Sequence, residues 1–414
     1  MHFLLTASLA IFGLAASASA EWLQFRGPDQ SRSNTAGLPL SWSEKDNVKW
    51  KTPVPGQGWS SPVSDGKQVW LSTATEDGRS LRAIRVDFES GKITLDVEVF
   101  RQEVAPPKHA RNSYASPTPI LDGDRVYLDF GSWGVACLSS KDGRKLWENR
   151  ELKVDHQNGP GGCSVLHGDR LLVACDGIDL QYGAALDKHT GKLLWKTERS
   201  AAAKLTKRPG DLRKAYGTPV VFQIDGRAQA ITCGAERLYS HDPATGEELW
   251  FVDYPGFSNA PVPVFDGEQI YVCTGFNKPE LWAIKASGLK GNVSATHASW
   301  KQKSGVPDQA SPVVVGKRLY MVSSGGIASS INTADGSIVW KERLGSDFAA
   351  SPIAADGRLY FFPTGAGPAK VVAASDTFQV LAQNTLSEGC MATPAVVGKA
   401  LLVRTKAALY RLEQ

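Results

Sequence analysis

Ser164-Val-Leu-His-Gly-Asp-Arg-Leu-Leu-Val-Ala174 and Gly183-Ala-Ala-Leu-Asp-Lys-His-Thr-Gly-Lys-Leu-Leu-Trp195 decide the fold. In the first stretch two short apolar runs flank His167-Gly168-Asp169, and in the second two more flank Thr190-Gly191. Glycine supplies the positive φ that a tight hairpin turn requires. The unit therefore reads as four antiparallel strands, A to D. Trp195 follows Gly191 by four residues, which gives it one fixed facing on the outermost strand.

The unit recurs along the chain. Apolar runs that turn at a glycine open at Ser61-Pro62, Ser116-Pro117, Cys163-Ser164 and Thr218-Pro219. They continue at Ala260-Pro261, Ser311-Pro312, Ser351-Pro352 and Thr393-Pro394. Eight repeats of about 49 residues predict an all-β fold, a single eight-bladed β-propeller of four-stranded antiparallel blades. Asp142-Gly143 leads to Trp147, Thr245-Gly246 to Trp250, and Asp335-Gly336 to Trp340. A large ring at one position per unit suits packing between neighbouring sheets. The eighth unit ends at Tyr410-Arg-Leu412, one strand short, and Asn47-Val-Lys-Trp50-Lys carries a strand with its tryptophan. The N-terminal strand is therefore expected to complete the last blade and remove the open edges of the ring.

Residues 1–20 read as a signal peptide, with an apolar run from Leu4 to Leu14 before Ala18-Ser19-Ala20. The propeller is expected to occupy 21–414, in a periplasmic or secreted protein. No later stretch is long and apolar enough to predict a transmembrane helix, and no cysteine near Ala20 offers a lipid anchor. The net charge of +4 is mild, and no basic, aromatic-rich stretch points to nucleic acid. Of the six cysteines, Cys175, Cys233 and Cys273 fall at similar places in successive units, too far apart to bond. They read as small apolar fillers. Cys163 and Cys175, across one hairpin, are left as the pair to examine. No Cys-x-x-Cys-His occurs, so covalent haem is not expected.

These units resemble the quinoprotein-type propellers, the eight-bladed pyrroloquinoline-quinone (PQQ) repeat superfamily. Their docking pattern is complete at Ala185, Asp187, Thr190, Gly191, Lys192 and Trp195, and nearly so at Asp242, Thr245, Gly246 and Trp250. The opening Trp22-Leu-Gln-Phe-Arg-Gly-Pro28, Leu38-Pro-x-x-Trp42-Ser and Asn47-Val-x-Trp50 resemble the exported BamB-like group. That resemblance implies a fold and attaches no activity. Two departures stand out. BamB itself needs a lipidated cysteine, and PQQ alcohol dehydrogenases carry adjacent paired cysteines and a carboxylate-rich calcium site. No Cys-Cys occurs here.

In such a ring the A–B and C–D turns share one face, and the B–C and D–A connections ring the channel mouth on the other. The D–A connections vary: Pro62 to Pro117 and Ser164 to Pro219 each span 55 positions, against 40 to 42 in short units. Loops on a rigid scaffold are where function sits. The first long connection carries Lys108, His109, Arg111, Asn112 and Tyr114; the second carries Lys204, Lys207, Arg208, Arg213, Lys214 and Tyr216. On one rim these would form a positive crescent that favours anionic ligands. His156 lies between them, and Asp176 and Asp179 form an acidic pair on a B–C connection. They read as turn-forming aspartates or as an acid/base dyad. Trp59, Trp133 and Phe348 lie in rim segments, open to stacking on a ligand or to plain packing.

The function expected is an exported, non-catalytic binding propeller that holds a protein segment or an anionic glycan at its loop-rich rim. It is expected to be a monomer and to need no metal or cofactor. The alternatives are a PQQ- and calcium-dependent alcohol dehydrogenase or a carbohydrate-active enzyme.

Overall fold

The structure is a computed structural model that describes residues 21–345 and 347–414. The expected leader lies outside the described residues. Eight antiparallel sheets follow one another along the chain. In the third blade, strand A is Val165–His167, B is Arg170–Asp176, C is Gln181–Asp187 and D is Leu193–Glu198. Strand C is buried almost throughout, while D alternates between exposed and half-buried positions. Inner strands have a sheet on each side; the outermost strand meets solvent.

The ring closes as the sequence predicts. Val48–Pro53 pairs antiparallel with Ala408–Leu412, with Trp50 opposite Arg411. Two short parallel strands extend other blades. Arg32–Ser33 lies along Ile353–Ala355, and Gly291–Asn292 along Glu248–Asp253, so two sheets have five strands.

Docking tryptophans join several blades to the next. Trp50 Nε1 donates to Phe88 O (2.9 Å), Trp147 to Lys188 O (2.9 Å), Trp195 to Pro243 O (3.1 Å) and Trp340 to Ser375 O (3.0 Å). Asp187 rigidifies the receiving turn by accepting from the His189 and Thr190 N–H groups and from the Thr190 hydroxyl. Asp242 does the same for Ala244 and Thr245. Ala185 is fully buried beside this turn. Trp250 departs from the pattern. Its Nε1 donates to Gln229 Oε1 within its own blade, at 2.6 Å. The following C–D connection is a long detour through Gly291-Asn292, with no tight glycine turn to receive the ring.

The axis of the ring is occupied by the chain itself. Trp22 exchanges both backbone hydrogen bonds with Ser64 (2.7 and 2.9 Å), and Leu121 N donates to Leu23 O (2.9 Å). The Gln30 amide brackets the backbone of Phe265, and Arg26 Nη2 donates to Pro312 O at 2.5 Å. Together with Arg32–Ser33, these contacts reach the innermost strands of blades 1, 2, 5, 6 and 7. The Trp22–Pro28 motif is thus a plug that ties blades together across the centre.

All six cysteines are buried and unpaired. Cys163 and Cys175 are not joined; Cys163 Sγ instead accepts from Thr118 N.

Candidate functional site

The turns divide between two faces as expected. Lys188, in a C–D turn, reaches Asp122, in the A–B turn of the preceding blade, at 3.1 Å. On the opposite face Arg111, ahead of blade 2, reaches Asp347, ahead of blade 7, at 2.6 Å. That face holds a cavity of about 510 Å³. Phe25 of the plug lines it, with Phe257, Phe276 and Met391 as further apolar surface. His109, Arg111, Asn112, Asn158 and Tyr216 supply one polar side, and Asp211, Lys214, Asp308 and Gln309 another.

Five of the sequence candidates therefore line one cavity: His109, Arg111, Asn112, Lys214 and Tyr216. Others support it from behind. Tyr216 OH donates to His156 O (3.2 Å), and Asn112 Nδ2 donates to Asn158 O (2.8 Å) and Pro160 O (3.0 Å). Trp59 Nε1 donates to Arg111 O (3.0 Å). Lys108 sits over the Tyr114 ring, which meets Trp133 edge-on at 5.7 Å. Trp59 and Trp133 thus brace the long loop, and Phe348 is buried in the core.

The positive crescent is largely neutralised. Lys204 and Arg208 both pair with Glu236, at 2.9 and 3.0 Å, Lys214 pairs with Asp211, and Arg111 with Asp347. Arg213 spends its donors on the carbonyls of Thr206, Arg208 and Ile178. Lys207 is exposed and does not line the cavity.

Asp176 and Asp179 do not act as a pair. Arg199 grips Asp176 through Nε (3.1 Å) and Nη2 (3.0 Å), both side chains being buried. Asp179 Oδ1 accepts from Asp155 N at 2.7 Å on the surface. Such a buried, bidentate pair is structural.

A small enclosed cavity of about 20 Å³ lies beneath Tyr216, lined by Asp129, His156 and Cys175 among others. Burial pushes the Asp129 carboxyl up to about 6, against hydrogen bonds from Ser164 and Gly131. Burial also lowers His156 to about 4, and its Nδ1 has no partner among the described residues.

The donors for a calcium-held quinone are not gathered at the mouth. Among the described residues no three His, Cys, Asp or Glu side chains converge to hold a metal. Of the two carboxylates lining the cavity, Asp211 is taken by Lys214, and Asp308 accepts from the Ser324 hydroxyl.

The sequence matches the family described as outer membrane protein assembly factor BamB over residues 40–160, 119–287 and 289–387. The chain belongs to this family of PQQ-like propellers. This BamB-family chain is also similar to the quinoprotein ethanol dehydrogenase of Pseudomonas aeruginosa. The two are 26% identical over 216 residues, covering 50% of this chain and 32% of that one. The outer membrane protein assembly factor BamB of the same organism is 24% identical over 215 residues, covering 50% of this chain and 49% of that one. The matches thus span a third to a half of the length of these curated relatives. BamB from Moraxella catarrhalis has the same fold, with a TM-score of 0.54 at 18% identity, covering 75% of this chain and 82% of that one. Assembly factor and dehydrogenase share the ring at near-equal identity, and a fold does not decide an activity.

Among the mouth residues that the sequence did not single out are Phe25, Asp211, Phe257, Phe276, Asp308, Gln309 and Met391. Phe25 lay in the opening motif, read there only as a family mark. Phe276 carried a local signal, an aromatic in the turn-rich run Gly275-Phe-Asn-Lys-Pro279.

Proposed function

We propose that the chain is an exported, non-catalytic propeller that holds a segment of a partner protein in the cavity at its loop-rich mouth. One observation carries this reading. The chain's own residues 22–33 occupy the axis, so Phe25 backs an open cavity with apolar surface inside and polar groups around it. An apolar centre within a polar rim is the anatomy of a protein-binding surface. The family description, an outer membrane protein assembly factor, supports a protein partner. The leader-like residues 1–20 support export. Pairing of the rim cations counts against an anionic glycan, and the scattered carboxylates count against a calcium-held quinone.

A thermal-shift screen of residues 21–414 tests this reading. The ligands are PQQ with calcium, an anionic oligosaccharide, and peptides from outer membrane proteins. A ligand that binds only the native state raises its melting temperature. Peptides are expected to raise it. A shift with PQQ and calcium, accompanied by dye-linked alcohol oxidation, would replace this reading with the dehydrogenase.

A further inference from the structure

Phe276 is 52% exposed, and its backbone holds it in place. Phe276 N donates to Phe257 O at 2.8 Å, and the two rings meet edge-on with centroids 6.2 Å apart. The next two residues, Asn277 (φ 59°) and Lys278 (φ 83°), both adopt the left-handed conformation that side chains other than glycine's disfavour. Such a pair makes the turn between the antiparallel strands Gln269–Cys273 and Leu281–Lys285, and Phe276, just ahead of it, lines the cavity. With Phe25 and Met391 in the same lining, the cavity offers aromatic faces and edges and a polarizable thioether. These are the partners an inserted aromatic ring prefers.

The charges around that apolar surface are unequal in their satisfaction. Arg111 and Lys214 each face a carboxylate. His109 Nδ1 accepts from Arg111 N. Asp308 pairs with no cation among the described residues and accepts only the Ser324 hydroxyl. A carboxylate has about four lone-pair positions, so Asp308 keeps acceptor capacity for a ligand. An incoming anion would meet Asp308 with no unpaired Lys or Arg in the lining to offset it, whereas a cation would gain a charge-assisted hydrogen bond.

We infer that the segment held in the mouth presents an aromatic side chain beside a lysine or arginine, the ring against Phe276 and Phe25 and the cation toward Asp308. This rests on the protein-binding reading above.

The test is selection of a phage-displayed library of random dodecapeptides on residues 21–414, with Phe276→Ala and Asp308→Asn proteins as parallel baits. Both substitutions sit in connecting loops at exposed or half-buried positions, and matching melting curves verify folding. Enriched peptides are expected to carry an aromatic residue next to Lys or Arg. Phe276→Ala should abolish enrichment. Asp308→Asn should keep the aromatic, lose the basic preference, and bind a selected synthetic peptide about tenfold more weakly. Enriched peptides that are acidic or lack aromatics, yet depend on Phe276, would overturn the inference and leave the protein-binding mouth standing. No enrichment, or enrichment indifferent to Phe276→Ala, would overturn both.

Discussion

The indole of Trp195 packs against Gly246 of the neighbouring blade: a Cβ added to that glycine would fall 2.6 Å from ring carbons. The same contact joins Trp50 to Gly91 and Trp147 to Gly191. The turn glycine therefore serves two ends. Its φ of +77° makes the hairpin, and its missing side chain leaves room for the ring.

Gly246→Ala should cost both terms, about 2–4 kcal/mol. Gly123→Ala is the control. Its φ is +57°, and nothing lies within 4 Å of the added Cβ, so only the backbone penalty of about 1 kcal/mol is expected. Urea denaturation of both variants measures the difference. Equal losses would mean that the ring contact contributes nothing.

Closure of the ring makes a second prediction. A chain beginning at Val54 lacks both the plug and the strand that pairs with Ala408–Leu412. Its melting temperature should fall by about 10 °C or more, and the bared edge should promote association. A chain beginning at Ala36 keeps the strand and the buried Leu38 and Trp42 ahead of it while losing the plug, so it should melt in between. Differential scanning calorimetry at two protein concentrations separates the effects. An unchanged melting temperature for the shorter chain would refute closure by the N-terminal strand.

The Arg199–Asp176 pair is buried on both sides, with side chains 1% and 2% exposed. Asp176→Asn should leave a buried guanidinium without its counter-charge and cost about 3–5 kcal/mol. Asp179→Asn, at an exposed position, should cost under about 1 kcal/mol. Chemical denaturation distinguishes a structural ion pair from two equivalent surface carboxylates, which would lose similar amounts.

Stability should also fall as the solution is acidified below neutrality. Burial lowers His241 to about 3 and His156 to about 4, from an ordinary 6.5. Between about 6.5 and 4 the unfolded chain binds protons at these sites and the folded chain does not, so stability decreases as pH drops. Asp129 acts in the opposite sense. Its folded value of about 6 lies above the ordinary 3.8, so in that window the folded state holds the extra proton. Two histidines against one aspartate leave a net loss toward acid. His241→Leu should reduce the loss between pH 7 and pH 4.5 by about 2 kcal/mol, read from urea denaturation at the two pH values. An identical pH dependence in this variant would mean that His241 does not remain neutral in the fold.

The sequence by itself determined the ring. Glycine turns, apolar runs and the Gly-to-Trp spacing act over a few residues, so each blade was legible from its own unit. Closure was legible too, because a unit lacking a strand and a strand lacking a unit stood at opposite ends. What ran along the axis was not. Residues 22–33 have no strand period of their own, and their conformation is set by Ser64, Leu121, Phe265, Pro312 and Ala354. The charge of the rim was likewise decided in three dimensions. Arg208 and Arg111 looked unpaired in the chain, but Glu236 and Asp347 reach them from blade 4 and from the connection before blade 7. Phe25, Phe276, Asp308 and Met391 become one surface only when the ring closes. Turn and strand signals are local steric preferences written in neighbouring residues. A binding cavity depends on long-range packing and charge pairing, which only the folded chain brings together.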